Sequence, residues 1–204
     1  MNLDHVEVNP AFKHWEELLK KWIELNKTIY MQAGKEYAAY SFRERPNVSV
    51  IAGAAVGSGW AALEECWVEK HRTSTPTRKY EGRADLLLWK GKYHERIEAK
   101  LTCDEFLPLK RKIKKRHQSS IESAVKLGKA TKGRNVALTF IIPRVLATGK
   151  ENFNTQILDL IEHCRGFSPS ILSCTFPGWV PRLGGDHKEN DRFSKGIIVI
   201  GDVV

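Results

Sequence analysis

The stretch GRADLLLWKGKYHERIEAK, residues 82–100, carries two apolar runs about a Lys-Gly pair, and each run is interrupted by an acid. Side chains alternate across a strand, so Asp85 shares a face with Arg83 and Leu87, while Glu98 shares one with Lys100. A two-residue turn at Lys90-Gly91 predicts Trp89 opposite Lys92 and Asp85 opposite Arg96, with Glu98 diagonal to Asp85 on the same face. A slip of one residue would send the two acids to different faces. Carboxylates held that close repel, and must be protonated, matched by cations or bound to a metal. Oxygen donors of this kind suit Mg²⁺ or Mn²⁺, which take one or two carboxylates together with water and substrate phosphate. The plainer alternative is a polar hairpin face whose acids pair with Arg83, Arg96 or Lys100.

The hairpin must be held by its neighbours. From Pro10 to about Tyr40, Phe12, Trp15, Leu18, Leu19, Trp22, Leu25 and Ile29 recur at spacings of three and four, which predicts helix with a break near Gly34. Arg45-Pro46-Asn47 reads as a breaker, with Asn47 capping a helix from about Val48 to His71. In that helix Val56, Trp60, Leu63 and Trp67 form a stripe expected in the core. Residues 72–79 read as a loop or ragged edge. After Pro108 a basic amphipathic helix runs to about Ala130, with Leu109, Ile113, Ile121 and Ala124 on its apolar face. NVALTFII (135–142) suits a buried strand, Asn154–Arg165 a helix, 168–195 a long loop, and GIIVIGDVV (196–204) a final buried strand. This is an α/β layered domain in which the strands come partly as a hairpin. No glycine-rich phosphate loop is present.

The set Asp85, a twelve-residue gap, then Glu98-Ala99-Lys100 resembles the signature of the PD-(D/E)xK nuclease superfamily. Ala84 stands where the superfamily's name has proline. The resemblance implies a restriction-endonuclease-like α-β-β-β-α-β core, a mixed sheet flanked by helices, over residues 48–142. Residues 1–45 would then be a helical extension, and 143–204 a C-terminal helix, loop and final strand of the same domain. It implies that Asp85, Glu98 and the Ala99 carbonyl hold Mg²⁺ or Mn²⁺, and that Lys100 orients the attacking water in phosphodiester hydrolysis. Members similar to RecB-type exonucleases add an acid from the preceding helix. Glu64, about 70° from the centre of the apolar stripe at ~100° per residue, is the candidate, with Glu65 the fallback. That branch also places a Gln beyond the motif lysine, which Gln118 would supply. The Tyr expected four residues later is Glu122 here.

Charge points the same way. The chain of 204 residues has a formal net charge of +9, and between Leu101 and Arg134 ten basic residues face three acids. KRKIKKR (110–116) offers Lys110, Arg111, Lys114 and Lys115 to a polyanion, expected to be DNA, through contacts that carry no sequence information. The rival reading is a non-catalytic nucleic-acid-binding or protein-interaction module on the same fold. Cys66, Cys103, Cys164 and Cys174 lie far apart without zinc spacing, and no run approaches 18 apolar residues, so a cytoplasmic protein with no membrane partner is expected. The Trp-rich N-terminal helices are a candidate dimer interface.

Overall fold

The computed structural model describes residues 3–72, 75–127, 133–181 and 192–204. After strand β1 (His5–Val8) come a 3₁₀ turn at Pro10–Trp15, helices α1 (Glu16–Gln32) and α2 (Glu44–Gly57), and strands β2 (Ala61–Arg72), β3 (Thr75–Lys90) and β4 (Tyr93–Glu105). Helix α3 (Phe106–Val125) leads to β5 (Arg134–Leu146). Helix α4 (Phe153–Arg165) precedes β6 (Ile171–Thr175), β7 (Val180–Pro181), β8 (Arg192–Ser194) and β9 (Ile197–Val203). Among the described residues the main sheet path runs β1-β6-β9-β5-β4-β3-β2. It is mixed and mostly antiparallel: β4 and β5 are parallel across the α3 crossover, and their neighbours are antiparallel. Parts of the expected 72–79 loop, the close of the basic helix and the 168–195 loop lie outside the described residues.

Helices cover both faces. Phe12, Trp15, Leu18, Leu19 and Trp22 join Ile51 of α2 against Leu86, Leu88, Ile97, Leu138 and Phe140 of the sheet. On the other face Leu109 and Ile113 of α3 and Ile157 and Leu160 of α4 pack on Ile141, Leu172, Ile198 and Ile200. The N-terminal helices therefore belong to the same core as the hairpin. Trp15 and Trp22 are fully buried against their own sheet, which withdraws them as a surface for a second copy. Gly53 permits the close approach of α1, since a Cβ there would sit 3.1 Å from Leu25 Cδ2. Glu95, buried at the start of β4, is held by Arg134 at 2.7 Å and lies 2.9 Å from His14, which fixes the N-terminal turn to β4 and β5.

Helix α2 departs from expectation at both ends. It begins three residues before Asn47, at Glu44, because proline is tolerated within a first helical turn, where its missing amide has no partner to lose. It stops at Gly57 rather than His71. Gly59 has φ of 81°, its amide bonds to Val56 O, and the Trp60 amide reaches back to Ala55 O at 2.9 Å. That is a Schellman close, which the Gly59-Trp60 pair supplies. Residues 61–72 are consequently a strand, and the expected helical stripe dissolves: Trp60 is buried, but Val56, Leu63 and Trp67 are 59%, 56% and 68% exposed.

No helix among the described residues is long and apolar enough to cross a membrane.

Candidate functional site

The hairpin turn lies one residue later than expected. Lys90 pairs with Tyr93 and Trp89 with His94, which leaves Gly91-Lys92 as the turn. Gly91 has φ of 58°, and a left-handed first central residue is what a II′ turn requires; Lys90 could not supply it without strain. The register thus shifts by two residues, which preserves alternation, so Asp85 and Glu98 still share a face. The last registered β3–β4 pair is Leu86 with Ile97. One step further Asp85 comes against Glu98, and there the two strands part: β3 continues with β2 alone and β4 with β5.

The fork leaves main-chain amides on β4 that β3 no longer meets. Asp85 Oδ2 accepts a hydrogen bond from the Ala99 amide at 2.7 Å. Two residues on, the Leu101 amide lies close enough to the carboxylate of Glu44, from the first turn of α2, to favour its charge. Asp85 thus caps an open amide that would be costly to bury unpaired, and Glu44 stands beside the next.

Lys100 joins them. Its Nζ donates to Ala99 O at 2.7 Å and lies 4.0 Å from Glu44 Oε1. Lys70 of β2 donates to Glu98 Oε1 at 2.6 Å; Glu98 is buried and Lys70 is largely covered. Burial pushes the Glu98 carboxyl above its ordinary range; the Lys70 hydrogen bond opposes this, and the Asp85 charge adds to it. Burial likewise raises Glu44, where Lys100 pulls downward, Asp85 upward, and the Leu101 amide and Arg116 downward. Glu44, Asp85 and Glu98 therefore share one field, with Lys100, Lys70 and Arg116 as its cations.

The other expected residues fall elsewhere. Glu64 lies on the edge strand β2, exposed, accepting from Ser49 Oγ at 2.7 Å. Glu65 has φ of 54° and pairs with Arg45 at 2.9 Å and Arg83 at 3.4 Å. The acid that α2 brings to the cluster is Glu44, hidden in the sequence because RERPN reads as a breaker. On α3, Lys110 pairs with Asp159 and Lys112 with Asp104, while Arg111, Lys114 and Lys115 point to solvent. Arg116 is the basic residue of that run whose charge reaches Glu44. Gln118, two positions on, is turned about 160° from Arg116 around the helix; it is exposed and contacts Glu122 at 3.5 Å.

The rotation of α3 is set by its neighbour His117, which sequence reading passes over because its partners are distant in the chain. His117 Nδ1 lies 3.0 Å from Thr139 Oγ1 and Nε2 lies 2.8 Å from Asp202 Oδ2. Asp202 in turn accepts from the Ser170 amide. Thr139 is the β5 partner of Lys100, so this buried chain ties α3 to the strand behind the cluster.

Among the described residues no group of three or more His, Cys, Asp or Glu side chains is placed to hold a metal. The cluster instead offers two carboxylates, Asp85 and Glu98, and the Ala99 carbonyl. An all-oxygen, water-completed set of that kind suits Mg²⁺ in its chemistry. The raised Glu44 and Glu98 carboxyls mark a place where further positive charge would be favourable. No protein-family profile, no curated protein and no solved structure matches the chain.

Proposed function

We propose that the chain is a metal-dependent nuclease that hydrolyses phosphodiester bonds in DNA. The reading rests on one observation: Glu44, Asp85, Glu98 and Lys100 converge where β3 and β4 separate. The order α2-β2-β3-β4-α3-β5, with β4 and β5 parallel, supports reading this part of the fold as a restriction-endonuclease-like core.

Asp85, Glu98 and the Ala99 carbonyl would hold Mg²⁺ or Mn²⁺. When bound, the ion lowers the pKa of a water and offsets charge on the scissile phosphate. The protein's own groups then divide the work. The hydrogen bond from Lys100 to Ala99 O fixes the ammonium beside the carboxylates, where it can orient the attacking water and meet charge on the phosphate oxygens. Glu44 lies beside Lys100 and the Leu101 amide, and Arg116 faces the phosphates from α3. Arg111, Lys114 and Lys115 grip the backbone away from the cut. A cytoplasmic setting suits four cysteines that all remain free thiols.

The alternative, a non-catalytic nucleic-acid-binding or protein-interaction module, draws on the Lys70–Glu98 pair, which neutralises one acid without a metal. Incubation with linear and circular plasmid in Mg²⁺ separates the two. Cleavage by the wild type, stopped by EDTA and by Lys100→Ala, is the expected result. A wild type that binds DNA but leaves both plasmids intact in Mg²⁺ and Mn²⁺ establishes the alternative.

A further inference from the structure

Lys70 and Glu98 are not on neighbouring strands. Lys70 is on β2 and Glu98 on β4, with β3 between them. The lysine stem must therefore cross β3, and it does so at Gly82. A Cβ at Gly82 would lie 2.8 Å from Lys70 Cδ and 3.2 Å from Cγ and Cε, so the missing side chain is the lane the stem occupies. At its end the ammonium meets Glu98 Oε1 at 2.6 Å, with side-chain exposures of 13% and 5%. This is a largely covered pair reached across a strand, unlike the exposed i,i+3 and i,i+4 pairs on the helix surfaces.

Its place in the cluster gives it a meaning. Glu44, Asp85 and Glu98 carry three negative charges, and Lys70, Lys100 and Arg116 return three. A divalent cation added to that set leaves an excess of positive charge, which the withdrawal of an ammonium reduces. Lys100 is held by a neutral carbonyl, Ala99 O, whose second lone pair stays open to an ion, whereas Lys70 is paired with the Glu98 carboxylate and competes there as a charge. We propose that Lys70 is a tethered placeholder cation: it occupies Glu98 Oε1 in the metal-free protein, must be displaced for a divalent ion to bind there, and so sets the ion concentration at which the site fills. This rests on reading the cluster as an oxygen-ligand metal site.

The test is direct Mn²⁺ titration of the full chain at mildly alkaline pH, following free Mn²⁺ by electron paramagnetic resonance. Lys70→Met removes the competing charge and should bind about tenfold more tightly than wild type, or about 1.4 kcal/mol. Lys70→Arg keeps the charge and should remain near wild type. Gly82→Ala obstructs the lane while leaving both charges in place, and should shift affinity in the same direction as Lys70→Met. Circular dichroism checks that each variant is folded. Affinity in Lys70→Met and Gly82→Ala that equals or falls below wild type overturns the inference and leaves the nuclease reading standing. Binding by none of the proteins, wild type included, overturns the metal site and the inference together.

Discussion

Asp85 and the Ala99 amide are joined by a 2.7 Å hydrogen bond one step past the last β3–β4 pair, so a residue proposed to hold the metal also closes the ladder where the sheet splits. The two roles separate by substitution. Asp85→Asn keeps an acceptor for the amide and should leave stability nearly unchanged while abolishing cleavage. Asp85→Ala strands the amide and should cost about 1–3 kcal/mol in addition. Urea denaturation of both variants measures the difference, and equal stability would count against the ladder role.

Glu44 predicts a pH signature. Its carboxyl is held above the ordinary value of 4.5, chiefly by burial, so the folded chain binds that proton more tightly than the unfolded chain does. Its contribution to stability therefore falls as pH rises from the ordinary value through the raised one. Glu44→Gln removes the ionisation and keeps a polar group of the same shape beside the Leu101 amide. The stability of the variant relative to wild type should improve across that window and level off above it. A difference that stays flat with pH would refute the placement of Glu44.

The basic helix should behave as three classes. Removing solvent-facing Lys114 and Lys115 together should weaken DNA binding and reduce the slope of log affinity against log salt by about two. Lys110→Ala and Lys112→Ala should do less, because Asp159 and Asp104 already hold those ammoniums. Arg116→Ala should lower the slope by about one and, unlike the others, slow cleavage at saturating DNA. Fluorescence anisotropy at several salt concentrations, beside single-turnover cleavage, resolves the classes. An Arg116 variant with unchanged cleavage would remove it from the site.

Gly59 should be sensitive to a single methyl group. Its φ of 81° is unfavourable for any L side chain, so Gly59→Ala should destabilise the chain by about 1–2 kcal/mol. Thermal or urea denaturation reads this directly. A neutral result would mean that the turn between α2 and β2 relaxes at no cost.

Much of this arrangement could be read from the chain, and the gaps have physical causes. Alternation together with a two-residue turn puts Asp85, Glu98 and Lys100 on one face, and a register error of two residues is harmless to that conclusion. Helix α2 was harder. Val56, Trp60, Leu63 and Trp67 sit at helical spacing by coincidence, and Leu63 and Trp67 are exposed on the edge strand β2. Gly59 followed by Trp60 carried the stop signal, but the apolar stripe outweighed it. At the other end Pro46 looked like a barrier although it sits inside the first turn, which concealed Glu44. Lys70 and His117 were illegible for another reason: their partners Glu98 and Asp202 are 28 and 85 residues away, and only the folded sheet brings them together.

The split sheet has an evolutionary corollary. Because Asp85 plugs an exposed main-chain amide and Glu44 stands beside the next, selection for a stable scaffold alone would maintain polar acceptors at both positions, charged or not. If the chain cuts DNA as proposed, a descendant that had ceased to do so would keep Asp or Asn at 85 while Lys100 came free to vary. In any set of relatives, then, position 100 and the charge at 85, rather than the mere presence of an acceptor there, would tell working copies from retired ones.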